Sequence, residues 1–139
     1  LYSADDLTIA GTGALTVDGN YNDAIASKDG LVIADGAISV TAADDGVRGK
    51  DYLVVSGGTF DITSGGDGLV SDNGQDAGLG YISIDGGTFD VTSGADAIES
   101  VTAVLISAGD LTVAADDDGI HSTAWLEIGG GTIDITESY

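Results

Sequence analysis

Hydrophobic residues recur along the chain in short pieces in which every second position is apolar, a period typical of half-buried β-strands. A first set of pieces comprises Leu31/Ile33, Leu53/Val55, Ile82/Ile84, Val104/Ile106 and Leu126/Ile128. A second set comprises Leu15/Val17, Ile38/Val40, Phe60/Ile62, Phe89/Val91, Leu111/Val113 and Ile133/Ile135. A third, shorter strand is predicted where one aliphatic residue follows Asp-Gly or Asp-Ala, at Ile25, Val47, Leu69, Ile98 and Ile120.

The three pieces return in the same order about every 22 residues. Copies begin at residues 28, 50, 79, 101 and 123, and the one longer spacing, 29 residues, contains the insert 72–78. The predicted coils are 4–27, 28–49, 50–78, 79–100, 101–122 and 123–139. Three strands in 22 residues leave no room for helical crossovers. The repeat therefore predicts one all-β domain over residues 1–139, a three-sided parallel β-helix of about six coils stacked about 4.8 Å apart.

Both ends of the repeat look unfinished in the sequence. The last copy stops after its second strand, and residues 1–3 resemble the end of a third strand. We expect either a piece of a longer protein or copies that stack end to end.

The charge of the chain excludes several classes of partner. It has 3 Lys and Arg residues against 24 Asp and Glu residues, a formal net charge of −21. Nucleic acids and anionic membranes require a basic footprint, so neither is an expected partner. No apolar run approaches the roughly 20 residues of a membrane-spanning helix, so membrane insertion is not expected. The acidity favours cations or partners that cations can bridge, with a salt-adapted surface as the alternative.

Five aspartates precede the third strands and would form one column along the coil axis. They are Asp23, Asp45, Asp67, Asp96 and Asp118, and the neighbouring polar residues are Asn22, Asp44, Asp116 and Asp117. Two carboxylates about 4.8 Å apart repel by roughly 0.9 kcal/mol in water and about 3.5 kcal/mol at an effective dielectric constant of 20. Calcium binds carboxylate oxygens at roughly 2.3–2.6 Å, half the coil spacing. We therefore predict calcium as the cofactor of these nine residues; the alternative is a turn signal repeated by duplication.

The three basic residues lie close together in the predicted fold. Lys28 and Lys50 occupy the same position one coil apart, and Arg48 lies two residues before Lys50. One interpretation is charge balancing through surface pairs of Lys28 with Asp29 and of Lys50 with Asp51. The other is a site for a sugar carboxylate, which suits the planar guanidinium of Arg48.

Aromatic residues also align in one column. Tyr52, Tyr81 and Trp125 share it with Gly30 and Ala103. Their rings could stack on sugars or shield a corner of the coil. The exposed Ser, Thr and Asp positions of the second strands predict either a solvated face or a flat sugar-binding surface. His121 aligns with Arg48 and Glu99 and is interpreted as a solvated turn residue.

The segments YNDAIASKDGLVIADGAISVTAADDGVRGKD and SGGTFDITSGGDGLVSDN resemble the bacterial carbohydrate-binding β-helix proteins, known for binding cellulose and acidic, pectin-like sugars. The resemblance implies a right-handed, pectate-lyase-like β-helix at an extracellular or cell-surface location, with calcium at the five aspartates. Ala24 and Ala97 replace the family's usual Gly, and Ala95 removes a neighbouring ligand. Calcium is therefore least expected at Asp96.

The function predicted is a calcium-dependent extracellular polysaccharide-binding module and not an enzyme. Its glycan-binding residues would be Lys28, Arg48, Lys50, Tyr52, Tyr81 and Trp125. One alternative is a structural unit of an adhesin or filament that self-associates end to end. The other is a polysaccharide lyase in which Arg48 or Lys50 is the base and calcium acidifies the proton beside a uronate carboxylate.

Overall fold

The computed structural model describes all 139 residues, and every regular element is a β-strand. The strands are β1 (Tyr2–Ser3), β2 (Leu7–Ile9), β3 (Ala14–Gly19), β4 (Ile25–Ser27), β5 (Gly30–Ile33), β6 (Ala37–Ala42), β7 (Val47–Gly49), β8 (Tyr52–Val55), β9 (Thr59–Ser64), β10 (Leu69–Ser71), β11 (Tyr81–Ser93), β12 (Ile98–Ser100), β13 (Ala103–Ala115), β14 (His121–Ser122), β15 (Trp125–Ile128) and β16 (Thr132–Glu137). None of the structure forms a helix that could cross a membrane.

All strand pairs are parallel and join equivalent positions of successive coils. The first strands pair in the register Leu31, Leu53, Ile82, Val104, Leu126. The third strands form a six-stranded sheet in the order β1, β4, β7, β10, β12, β14. In β11 and β13 the first and second strands run together, with register irregularities between Ile84 and Thr88. The predicted all-β, three-sided parallel β-helix of about six coils is confirmed.

The core lies inside the coils and consists of the predicted inward columns. The third-strand residues Val47, Leu69 and Ile98 are fully buried. Phe60 and Phe89 stack on each other in adjacent coils, with ring centroids 4.4 Å apart and planes at 3°. Since each coil covers the apolar face of its neighbour, stacking fixes the height of every outward side chain.

The insert between β10 and β11 is held by one buried asparagine. Asn73 is 3% exposed. Its Nδ2 donates to Asp51 Oδ1 at 2.7 Å and to Asp76 Oδ2 at 3.2 Å. Its Oδ1 accepts the backbone N–H groups of Gln75 and Asp76. The insert therefore packs against the coil and places Asp72 beside the third-strand sheet.

Candidate functional site

The five aspartates before the third strands stand in register in successive coils. The N–H of the residue after each aspartate donates to the carbonyl of the next aspartate in the column, as from Gly46 to Asp67 at 2.8 Å and from Gly68 to Asp96 at 2.9 Å. The same contacts join Ala24 to Asp45 and Ala97 to Asp118, both at 3.0 Å. The turns therefore form a continuous column along one edge of the solenoid.

The aspartate side chains are also bonded from coil to coil. Asp45 Oδ1 accepts the backbone N–H of Asp67 at 3.0 Å, and Asp67 Oδ1 accepts that of Asp96 at 2.9 Å. Asp96 Oδ1 accepts the N–H of Asp118 at 2.9 Å. We refer to Asp45, Asp67, Asp96 and Asp118 as the aspartate ladder. One oxygen of each of its first three carboxylates thus supports the fold, a role that the sequence did not reveal.

The small residues after the aspartates are required by close packing. A Cβ atom on Gly68 would lie 2.5 Å from the carbonyl oxygen of Ala97 and 2.5 Å from Val91 Cγ1. The backbone of Gly68 does not adopt a positive φ. The Asp-Gly pairs are therefore not explained by turn geometry alone, since the close approach of the next coil restricts this position.

Burial and mutual repulsion raise the pKa values of two carboxyls in the ladder. Burial, with the negative charges of Asp67, Asp23 and Asp44, raises the pKa of Asp45 to about 6 although the Asp67 N–H opposes the shift. Burial and a side-chain hydrogen bond with Glu99 raise the pKa of Asp67 to about 7, against the effect of the Asp96 N–H. Asp45 and Asp67 therefore remain protonated to a higher pH than an ordinary aspartate does.

Carboxylates converge most closely around Asp96, where calcium was least expected. The carboxylate oxygens of Asp96, Asp117 and Asp118 all lie within 4.8 Å of one another. The missing neighbour at Ala95 is compensated because the following coil supplies two acids. Asp44 and Asp45 form a second pair, since both carboxylates reach over Gly66 of the next coil. Asp116 is exposed, and its carboxylate does not belong to the group that converges on Asp96.

Two residues that sequence reasoning did not assign lie beside Asp96. His121 Nδ1 is 3.1 Å from Asp96 Oδ2. Glu99 and His121 are paired directly across β12 and β14, and ligand atoms of all three residues lie within 4.8 Å of one another. The interpretation of His121 as a solvated turn residue holds only in part: its side chain is 41% exposed, but the residue lies in β14 and its ring contacts the buried carboxylate of Asp96. The detectable signal was the shared column of Glu99 and His121 next to the aspartates.

Two basic residues meet two predicted metal ligands at the other end of the column. Asn22, Asp23, Lys28 and Arg48 line a surface cleft of about 260 Å³, together with Leu1, Tyr2, Ala26 and Ser27. Arg48 Nη2 donates to both oxygens of Asp72, at 2.9 and 2.7 Å. Arg48 Nη1 lies 4.0 Å from Asp23 Oδ2. We call this group the basic cleft.

The predicted surface pairs of the lysines are absent. Neither Lys28 nor Lys50 forms an ion pair in the structure. Asp51 instead accepts a hydrogen bond from Asn73, and Asp29 faces the side chain of Asp5. Lys50 does not line the basic cleft. The structure therefore separates Lys50 from Lys28 and Arg48 by its side-chain position, although the three are close along the chain.

The aromatic column is confirmed in register but is not one continuous platform. Tyr52 and Tyr81 stack with centroids 5.7 Å apart and planes at 22°. A Cβ atom on Gly30 would overlap the Tyr52 ring, so this ring lies over the glycine. Trp125 is 60% exposed and is separated from Tyr81 by Ala103. The tyrosines thus cover each other, whereas Trp125 offers an open ring.

Comparison with known proteins places the chain in a family. The model of a family described as carbohydrate-binding domain-containing protein matches residues 1–117. A carbohydrate-binding domain-containing protein from Acetivibrio thermocellus is 44% identical over 133 residues, which are 96% of this chain and 46% of that protein. A solved structure is also similar, that of the polysaccharide lyase-like protein from C. thermocellum as a gadolinium derivative. The TM-score is 0.94 at 37% identity, over 97% of this chain and 54% of that one.

The chain spans about half the length of each of these two proteins. The family model matches most of the chain, and the structural similarity extends over 97% of it. The resemblance expressed by the GGTFDIT repeats is thereby confirmed, and the chain belongs to the carbohydrate-binding domain-containing family.

Proposed function

We propose that this chain is a polysaccharide-binding module, without catalytic activity of its own, that holds an acidic sugar unit in the basic cleft. The cleft carries the proposal because it gathers two of only three basic residues in a chain of net charge −21. Its volume of about 260 Å³ lies just below the range for drug-sized ligands, so it suits one sugar ring.

The guanidinium of Arg48 is positioned to bind a carboxylate. Both of its hydrogen bonds to Asp72 come from Nη2, which fixes the plane of the group. Nη1 has only the 4.0 Å contact with Asp23. Since an arginine carries five N–H donors in a rigid fork, Nη1 can donate to a sugar carboxylate while Asp72 stays bound.

Calcium is the second part of the proposal. A chain of net charge −21 repels a polyanionic glycan, so binding requires local charge inversion. Asp96, Asp117 and Asp118 supply converging oxygens, the ligand type that calcium prefers. Asn22, Asp23, Asp44, Asp45, Asp67 and Asp116 are proposed as further ligands of the same column.

A bound ion at Asp96 and the basic cleft would lie on the same edge of the solenoid. Asp23 and Asp96 are three coils apart in the column, about 14 Å at about 4.8 Å per coil. A polysaccharide running along the axis would therefore contact both. Trp125, the most open ring of the aromatic column, would stack on neutral sugar faces. Tyr52 and Tyr81 would form the other end of this aromatic surface.

The electrostatics of Arg48 favour binding over lyase chemistry. Burial lowers its pKa, but the hydrogen bond and charge of Asp72 outweigh this and raise the pKa above its usual value. A general base must be able to release its proton near the working pH. Arg48 thus suits anion binding. Because polysaccharides of this type lie outside cells, we propose an extracellular or cell-surface location.

Co-sedimentation with insoluble polygalacturonate tests the proposal. The wild-type chain should be retained with calcium and released by a chelator. Retention should weaken as salt rises, because exposed charges are screened over about 10 Å at 0.1 M. The supernatant should show no ultraviolet absorbance of unsaturated sugar, since its appearance would mean lyase activity. If neither acidic nor neutral glycans retain the chain, the proposal is overturned.

A further inference from the structure

We propose that Asp96, Glu99 and His121 form a binding site for a divalent transition-metal ion of the zinc class. Ligand atoms of the three residues lie within 4.8 Å of one another. His121 Nδ1 and Asp96 Oδ2 are 3.1 Å apart. This inference does not depend on the glycan or on calcium.

The 3.1 Å separation fits two ligands of one ion. Zinc binds imidazole nitrogen and carboxylate oxygen at about 2.0–2.2 Å, which places two tetrahedral ligands about 3.4 Å apart and two ligands at a right angle about 2.9 Å apart. The observed distance lies between these values. An ion could thus replace the hydrogen bond with little movement of either side chain.

The imidazole decides the class of ion. Calcium and magnesium take oxygen ligands, whereas imidazole suits zinc, copper and nickel. The acid group formed by Asp96, Asp117 and Asp118 contains only oxygen. It shares Asp96 with the proposed zinc site. The two sites are therefore distinguished by their other ligands, which are Glu99 and His121 for zinc and Asp117 and Asp118 for calcium.

The strands hold the three ligands in place before any ion binds. Glu99 and His121 are paired in register across β12 and β14. Asp96 is 7% exposed, and the Asp118 N–H fixes its Oδ1, which leaves Oδ2 directed at the imidazole. Asp67 shares a hydrogen bond with Glu99. Such outer contacts orient ligating side chains and tune their affinity.

The chain offers a direct reporter because His121 is its only histidine. In a tag-free chain, the two ring C–H resonances of His121 can be followed by NMR during titration. They should shift and saturate at one equivalent of zinc. They should move less with calcium, which can bind Asp96 but does not take the imidazole as a ligand. The result that would overturn the proposal is no saturation at one equivalent, or an equal response to calcium.

Matched variants separate a built site from zinc held loosely by a surface imidazole. Glu99→Gln should weaken zinc binding at least tenfold by titration calorimetry, and His121→Gln should abolish the one-equivalent phase. Glu137→Gln removes the same charge from an exposed position of β16 and should leave zinc affinity unchanged. If Glu99→Gln and Glu137→Gln both bind like the wild type, the three-residue site does not exist. Circular dichroism of each variant confirms that the fold is intact.

Discussion

Asp67 Oδ1 accepts the backbone N–H of Asp96 at 2.9 Å, across 29 residues of chain and one step of the solenoid. The same acid thereby supports the turn of the next coil and carries a charge beside its neighbours. The N–H dipole offsets part of the repulsion along the ladder, but the pKa of Asp67 still rises to about 7, chiefly through burial. A cation bound in this column would therefore act directly on the stability of the fold.

The first prediction concerns pH in the absence of metal. Asp45 and Asp67 have folded pKa values of about 6 and about 7, above the ordinary 3.8. Between pH 3.8 and these raised pKa values, the folded state binds more protons than the unfolded state. The stabilisation that both carboxyls contribute to the folded state is therefore fully present below about pH 4. It is lost as the pH rises through 6 and 7. In chelator, the melting temperature should fall between pH 5 and pH 8.

Asp67→Asn tests the origin of this effect. The amide keeps an oxygen for the Asp96 N–H and offers a donor to Glu99, yet it carries no charge. At pH 8 in chelator the variant should be more stable than the wild type by about 1 kcal/mol, a value reduced by solvent screening. This corresponds to a rise of about 2–4 °C in thermal melting. No gain at pH 8, or an equal gain at pH 5, would contradict the role assigned to Asp67.

The second prediction is that calcium stabilises the solenoid. A ligand that binds only the folded state adds about 2.7 kcal/mol to the free energy of unfolding when its concentration is a hundredfold above Kd. Melting temperatures should rise by several degrees with calcium and return with chelator. Unchanged melting over this range would exclude a role for calcium in the ladder.

A third prediction locates the ion. Asp118→Asn should lower calcium stoichiometry or affinity in titration calorimetry, because it removes one of three converging carboxylates. Asp134→Asn removes the same charge from an exposed position of β16 and is the matched control. Equal losses in both variants would mean that calcium is attracted only by net charge.

A fourth prediction concerns the close packing of the coils. Gly68→Ala should destabilise the fold by about 1–3 kcal/mol, since the new methyl would meet a backbone carbonyl and Val91 at 2.5 Å. Gly74→Ala in the insert meets nothing within 4 Å and should be nearly neutral. Urea unfolding of both variants measures the difference. Similar stabilities of the two variants would show that the coils accommodate a methyl group at position 68, against the close packing seen at Gly68.

The sequence was sufficient to predict the fold because the inward columns repeat without interruption. Leu31, Leu53 and Ile82 were aligned by their spacing alone, and the structure pairs them in that register. Repeats of this kind convert a local pattern into a three-dimensional position. Even the 29-residue interval was resolved, because the pattern resumes unchanged after the insert.

The site was harder to predict because columns do not specify side-chain direction. The ring orientation that brings His121 to Asp96 depends on its side-chain rotamer. The convergence of Asp117 and Asp118 on Asp96 also depends on rotamers, which the spacing of the repeats does not give. The Lys50–Asp51 pair of one interpretation is absent, and Asp51 instead accepts a hydrogen bond from Asn73 of the insert. An insert has no partner in the repeat, so its contacts could not be read from the columns.

The basic cleft carries the proposed function, and one binding comparison tests it most directly. The affinity for polygalacturonate in calcium should be measured for the wild type, for Lys28→Gln/Arg48→Gln and for Lys50→Gln, whose lysine lies outside the cleft. We predict at least a tenfold loss in the double variant, little change in Lys50→Gln and the same calcium-induced rise in melting temperature for all three. Equal affinities of the double variant and the wild type, with the fold intact, would contradict the assignment of the cleft.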